Sequence, residues 1–284
     1  MPSAENALPL RHALALGLLQ GPAELLPVSS SAHTALIPRL AGWRYTRMDG
    51  ARRKSFEVAL HAGAGVALAV HMRKQLWRDA IGIDSRRAGV IALSLAPPAL
   101  AGYALDRPIE RRLGGPRSIA VGLAVGAVAM ALADTRRATD ATAPERSQED
   151  ASARDGLALG LAQAAALMPG VSRNGATLTA ARAAGFGRGA AQALSWHAGL
   201  PVIFGASLLK GARMRHNGVP REQRAALAVG GGAAFLSTLA SARLLDRTLR
   251  EGGPLWPYSL YRCALAALVL SRPPDPATRT PTNP

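Results

Sequence analysis

The chain has 284 residues, enough for one large domain or two ordinary ones. Hydrophobic residues make up 49% and charged residues 18%, below the roughly 25% of ordinary soluble domains, although Ala and Gly hold the mean hydropathy at only +0.09. Lys and Arg number 34 against 18 Asp and Glu, but they cluster between apolar segments and aromatics are only 4%, a distribution that argues against a nucleic-acid binder and suits lipid headgroups or an anionic substrate better.

The N-terminus carries Glu5 rather than a basic run, so no cleavable signal peptide is expected. The first notable segment is 13–41, an apolar run interrupted by "QGPAELLPVSSSAH" and followed by a second helical run. Gln20 and Glu24 are four apart and share a helix face. Pro27 pushes its predecessor out of helix, and Ser29, Ser30 and Ser31 can cap the half-helix near whose start His33 lies. A serine-rich helix start alone reads as a cap. Glu24 adds more, because an ionisable group in an apolar segment usually lines a functional cavity.

Apolar windows follow at 55–72 (with Glu57), 88–105 and 118–133. The polar run 135–155 reads as a disordered linker. A second broken segment, 156–185, carries "MPGVSRNGATLTAAR". Gly170 and Gly175 permit close backbone approach, Ser172 and Thr177 supply hydroxyls, and Arg173 supplies a forked cation suited to phosphate oxygens. A helix starting there points its positive end at the same place. The alternative is a loop arginine reaching for headgroups. Further windows lie at 189–209, 225–242 and 255–271, the last with Arg262 inside it. Each window is near the lower end of the roughly 17–25 residues that cross a bilayer core. The Pro-rich tail 272–284 reads as disordered. The single Cys263 excludes an intrachain disulfide and a cysteine zinc site.

The two broken segments repeat one another. "LALGLLQ" at Leu14 returns as "LALGLAQ" at Leu157, an offset of 143 that also relates Gln20 to Gln163 and Ser29 to Ser172. "LHAG" at Leu60 echoes "WHAG" at Trp196. Three spans separate the segments, an odd number, so the two enter from opposite membrane faces. The expectation is an all-α integral membrane protein with about six transmembrane helices and two re-entrant hairpins in an inverted-topology repeat. Repeat 1 covers about 1–134 and repeat 2 about 156–271, with the linker 135–155 between them. Lys and Arg divide almost evenly between the two faces, so the positive-inside rule assigns no orientation.

With these motifs in view, the sequence resembles the undecaprenyl-diphosphate phosphatases, the bacitracin-resistance family. "QGPAELLPVSSSAH" resembles the family's (E/Q)xxxE-x-x-P-x-S-S-x-x-H signature and "PGVSRNGAT" its PGxSRSxxT signature. "SFEVALHAGAGVALAV" and "ALSWHAGLPVIFGASLLK" extend the resemblance over most of the chain. It implies a multi-pass enzyme of the bacterial plasma (inner) membrane. The enzyme would convert undecaprenyl diphosphate to the monophosphate and inorganic phosphate, recycling the carrier lipid of peptidoglycan synthesis and conferring bacitracin resistance. By motif position it implies catalytic roles for Glu24, Ser30, His33 and Arg173, and substrate binding by Gln20, Ser29, Ser172, Asn174 and Thr177. It also implies a divalent cation, Mg or Ca, on Glu24 and Gln20. The partners expected are a polyprenyl diphosphate lipid and the bilayer, with no nucleic acid; a homodimer is left open.

Three positions depart from the family pattern. Gln20 stands where many members have Glu, Asn174 replaces the second serine of SRS, and His61 stands at a common Gln. His61 and His197 read as packed or hydrogen-bonded structural histidines. The nucleophile is either water or a side-chain hydroxyl, with Ser30 the best candidate and His33 as general base or proton donor. An alternative function is a transporter or flippase of the same architecture, which would need the anion site but no acid/base pair beside it.

Overall fold

The computed structural model describes residues 8–139 and 144–272; the predicted tail lies outside them apart from Arg272. Among the described residues there are ten α-helices and no strand: α1 (Leu10–Leu25), α2 (Ser30–Leu40), α3 (Gly50–Ile81), α4 (Ser85–Leu113), α5 (Pro116–Thr139), α6 (Ala153–Ala165), α7 (Arg173–Ala183), α8 (Arg188–Asn217), α9 (Arg221–Glu251) and α10 (Trp256–Leu270). Shifting α2 by 143 residues gives the bounds of α7. Five helices thus follow one another twice in the same order.

Each of the six predicted windows is helical. Among the described residues four helical stretches are long and apolar enough to cross a membrane: Gly50–Arg78, Ser85–Leu105, Pro116–Arg136 and Arg221–Leu245. The other two windows are weaker on physical grounds. The 15 residues of α10 fall short of the roughly 20 a spanning helix needs, and α8 carries Pro201 and turns polar Gln192 and Ser195 inward. The outer surface is apolar, with Leu100, Tyr103, Leu208 and Leu244 at least 70% exposed, as suits a surface solvated by lipid.

The two broken segments are helix pairs. α1 stops at Leu25 because Pro27 holds Leu26 extended (φ −83°, ψ 151°). α2 then restarts under its N-cap, Ser29, whose hydroxyl accepts from Ala32 N–H. In the second pair α6 ends at Ala165, and Ser172 caps α7 by accepting from Gly175 N–H at 3.1 Å. Between them Gly170 has φ +92°, and a Cβ there would strike the Ile119 carbonyl of α5. That close approach seats the tip of the second pair.

The halves are interlaced. α1 packs chiefly on α9, and its counterpart α6 packs on α4, the counterpart of α9. Small residues permit both contacts: Gly17 and Gly21 meet Gly230, Ala233 and Ser237, while Gly156 and Gly160 meet Val90, Leu93 and Pro97.

The polar run 135–155 is firmly held over its described part. Arg146 forks onto Asp155 at 3.0 and 2.7 Å, donates to the carbonyls of Ala184 and Asp150, and lies 4.1 Å over the Phe186 ring. Its backbone pairs with Gly185 and Gly187. Asp134 of α5 accepts from Arg182 of α7, from Arg188 of α8 and from Leu255 N–H beside α10. Polar composition suggested disorder because sequence does not show that these charges find buried partners.

Candidate active site

The breaks of the two helix pairs meet, and Glu24 is the hub. It sits at the end of α1, 7% exposed. Oε2 accepts from Ser30 Oγ at 2.8 Å and from Gln20 Nε2 at 3.0 Å, and His61 Nδ1 of α3 lies 3.3 Å from the same oxygen. Oε1 accepts from Arg173 Nη2, the first residue of α7, at 3.4 Å. The i to i+4 spacing puts Gln20 one turn before Glu24, and the Pro27 break turns Ser30 back onto the carboxylate.

Arg173 is held by what surrounds it. Its guanidinium lies 5.8 Å from the Trp196 ring and fills the space a side chain at Gly199 would occupy. Its Nη1 is buried without a hydrogen-bond partner. A second arginine lies close by. Arg262 of α10 is 0% exposed and donates through Nη1 to the Pro27 carbonyl at 3.4 Å, while its Nε and Nη2 are buried without partners. Its guanidinium occupies the space beside Gly175 and Gly126, so a Cβ at either would collide with it. A buried cation in this condition costs several kcal/mol unless an anion offsets it.

The remaining predicted residues face elsewhere in this geometry. Ser29 Oγ lies 3.3 Å from Ser31 Oγ besides capping α2. Asn174 donates to the Leu25 carbonyl at 2.8 Å and accepts from Ser195 and Gln192. Thr177 donates to the Arg173 and Asn174 carbonyls and contacts Ser195 Oγ at 2.5 Å. His33 has Nδ1 at 2.7 Å from the Ser29 carbonyl and Nε2 at 2.6 Å from Tyr261 Oη.

Among the described residues no three His, Cys, Asp or Glu converge as a ready-made metal cage. The oxygen donors on hand are the Glu24 carboxylate and Gln20 Oε1, which is buried and without a partner. One carboxylate and one amide oxygen fit a hard divalent ion that takes its other ligands from water and substrate phosphate oxygens.

A family model described as "Bacitracin resistance protein BacA" matches residues 13–268. The chain belongs to this family. The undecaprenyl-diphosphatase of Geobacter sulfurreducens is 36% identical over 275 residues, covering 92% of this chain and 97% of the relative. That of Thermomicrobium roseum is 35% identical over 284 residues, covering 91% and 96%. That of Idiomarina loihiensis is 31% identical over 270 residues, covering 91% and 97%. The resemblance seen in the two motifs therefore extends through the whole bacitracin-resistance fold.

Two residues that the motifs do not single out also lie at this cluster. His61, expected as a packed or hydrogen-bonded structural histidine, is hydrogen-bonded to Gln20 at 3.1 Å and stands 3.3 Å from Glu24. Arg262, inside the window 255–271, reaches the Pro27 carbonyl. The available signal was the same in both cases as at Glu24: an ionisable side chain inside an apolar window.

Proposed function

We propose that the chain is a phosphatase of the bacterial inner membrane that hydrolyses undecaprenyl diphosphate to undecaprenyl phosphate and inorganic phosphate. The observation that carries this reading is the pairing of Ser30 Oγ with Glu24 at 2.8 Å while Arg173 holds the other carboxylate oxygen. A nucleophile and a phosphate-binding cation share one carboxylate, which serves the nucleophile as its base. Arg173 Nη1 and Arg262 Nη2, both lacking partners, receive the diphosphate oxygens, and the positive end of α7 adds to their field.

Ser30 Oγ attacks the terminal phosphorus and its proton passes to Glu24. The bond from that phosphorus to the bridging oxygen breaks, and the electron pair leaves with undecaprenyl phosphate. Water then attacks the phosphoserine; the bond from phosphorus to Ser30 Oγ breaks, Glu24 returns its proton to that oxygen, and inorganic phosphate and the proton lost by water leave to solvent. Phosphoryl transfer needs chiefly positioning and charge stabilisation, which the two guanidinium groups supply. A divalent cation on Glu24 and Gln20 Oε1, when bound, supplies further neutralisation of phosphate charge.

The carrier reading is not favoured. The relatives are named as diphosphatases, and a hydroxyl held on a carboxylate beside an arginine has no task in a passive anion site. The test is phosphate release from undecaprenyl diphosphate by detergent-purified protein, with and without EDTA. Release that stops in Arg173→Lys supports the reading, because an ammonium cannot reproduce the guanidinium fork. Near-normal turnover by that variant would sink the phosphate-site assignment. Full turnover by Ser30→Ala would replace the serine with water as the nucleophile.

A further inference from the structure

Ser29 is the one described non-glycine residue with a left-handed backbone, at φ +76°. A residue with a side chain holds such a conformation only where its surroundings enforce it. The enforcing contacts come from His33. Its backbone N–H reaches the Ser29 carbonyl at 3.2 Å, and its ring Nδ1 reaches the same oxygen at 2.7 Å. A carbonyl oxygen only accepts, so Nδ1 carries hydrogen, and both lone pairs of that oxygen are engaged. In the neutral ring the free lone pair is then at Nε2, where Tyr261 Oη donates at 2.6 Å. The two rings are nearly parallel, 14° apart with centroids 5.6 Å distant. Both imidazole nitrogens are thus engaged away from Ser30 Oγ, whose own hydrogen bond goes to Glu24.

We propose that His33 is a positioning residue that clamps the left-handed Ser29 turn through Nδ1–H, and that Tyr261 fixes the ring for this task, so that Ser30 is delivered onto Glu24. The sequence puts the clamp one helical turn from the residue it holds, and α10 brings Tyr261 to it from the far end of the chain. This assigns His33 a different task from the proton transfer its motif position implies, and it gives Tyr261 a role. It rests on Ser30 and Glu24 being the reacting centre, an assignment that Ser30→Ala tests separately.

The test uses the full-length protein and phosphate release from undecaprenyl diphosphate, per unit of monodisperse protein. His33→Asn keeps an N–H donor in reach of the Ser29 carbonyl but cannot relay a proton. His33→Ala keeps neither. A clamp predicts that His33→Asn exceeds His33→Ala by about tenfold or more in kcat, since a misplaced reacting group loses rate on this scale. Tyr261→Phe should lower kcat severalfold while KM stays within about twofold. Adding Ser29→Gly to His33→Ala should raise kcat, because glycine adopts the positive φ without a clamp. Equal inactivity of His33→Asn and His33→Ala, with no gain from Ser29→Gly, would overturn the proposal and return His33 to proton transfer.

Discussion

Asn174 and Leu25 join the two halves of the site: the Asn174 side chain donates to the Leu25 carbonyl at 2.8 Å across 149 residues of sequence. Leu25 adjoins Glu24 and Asn174 adjoins Arg173. This hydrogen bond ties the two chain segments together right beside the carboxylate and the arginine, which also meet directly at 3.4 Å. The other end of the Asn174 amide is fixed by Ser195 and Gln192 of α8.

Asn174→Ala removes that link, takes the Asn174 partner from the Leu25 carbonyl and the Gln192 amide, and leaves Ser195 only its contact with Thr177. The expected loss is about 1–3 kcal/mol of stability for groups left unsatisfied. Activity should fall with it as Arg173 drifts from Glu24. Thermal unfolding in detergent and phosphate-release kinetics check the two effects side by side.

Arg262→Met should separate stability from function. A buried charge replaced by an apolar side chain of similar length is often neutral or stabilising, by about 1–4 kcal/mol. The melting temperature should hold or rise. If Arg262 binds phosphate, kcat/KM should nevertheless drop at least about tenfold, and millimolar inorganic phosphate should raise the melting temperature less than in the wild type. A variant both less stable and fully active would show that Arg262 is a structural residue.

Gln20→Glu restores a second carboxylate one helical turn from Glu24. If a divalent ion binds there, the added charged ligand should lower the ion concentration that restores activity after chelation. An unchanged metal titration would move the ion away from α1. The same variant loses the amide donor to Glu24, so the rate at saturating metal need not improve.

Arg146→Ala tests the ordered linker. Asp155 is the receiving carboxylate: burial pushes its pKa up, and hydrogen bonds from Arg146 and Ser152 outweigh burial and hold it below the ordinary value. A lowered folded-state pKa stabilises the fold above the unfolded value, near pH 4, and that stabilisation is lost as pH falls through the folded value. Unfolding measured against pH should therefore show wild type and Arg146→Ala apart at neutral pH and converging in acid. A constant separation would mean that the fork on Asp155 contributes little beyond packing.

Much of the architecture was legible because its causes are local. Apolar windows mark α3, α4, α5 and α9, while Pro27 and Gly170 mark the breaks. The identity of residues 143 apart announces the duplication. Within the site, Glu24 and Ser30 could be related through their shared motif, and Arg173 through its counterpart segment. His61, Tyr261 and Arg262 could not, since only the packing of α3 and α10 brings them to α1, α2 and α7. Asn174 and Thr177 carried polar groups that fit a phosphate equally well on paper. Their hydrogen bonds to Leu25 and Ser195 depend on the tertiary meeting of α7 with α1 and α8.

The interlacing of α1 with α9 has a consequence for how the protein is made. A chain synthesised from its N-terminus delivers α1, with its buried Gln20 and Glu24, long before Gly230 and Ser237 exist to receive Gly17 and Gly21. Until α9 has followed, the small-residue face of α1 lacks the helix it packs against in the finished fold. Translation order thus makes the reacting centre one of the last parts of the molecule to assemble, and truncated chains that insert correctly would still lack a closed site.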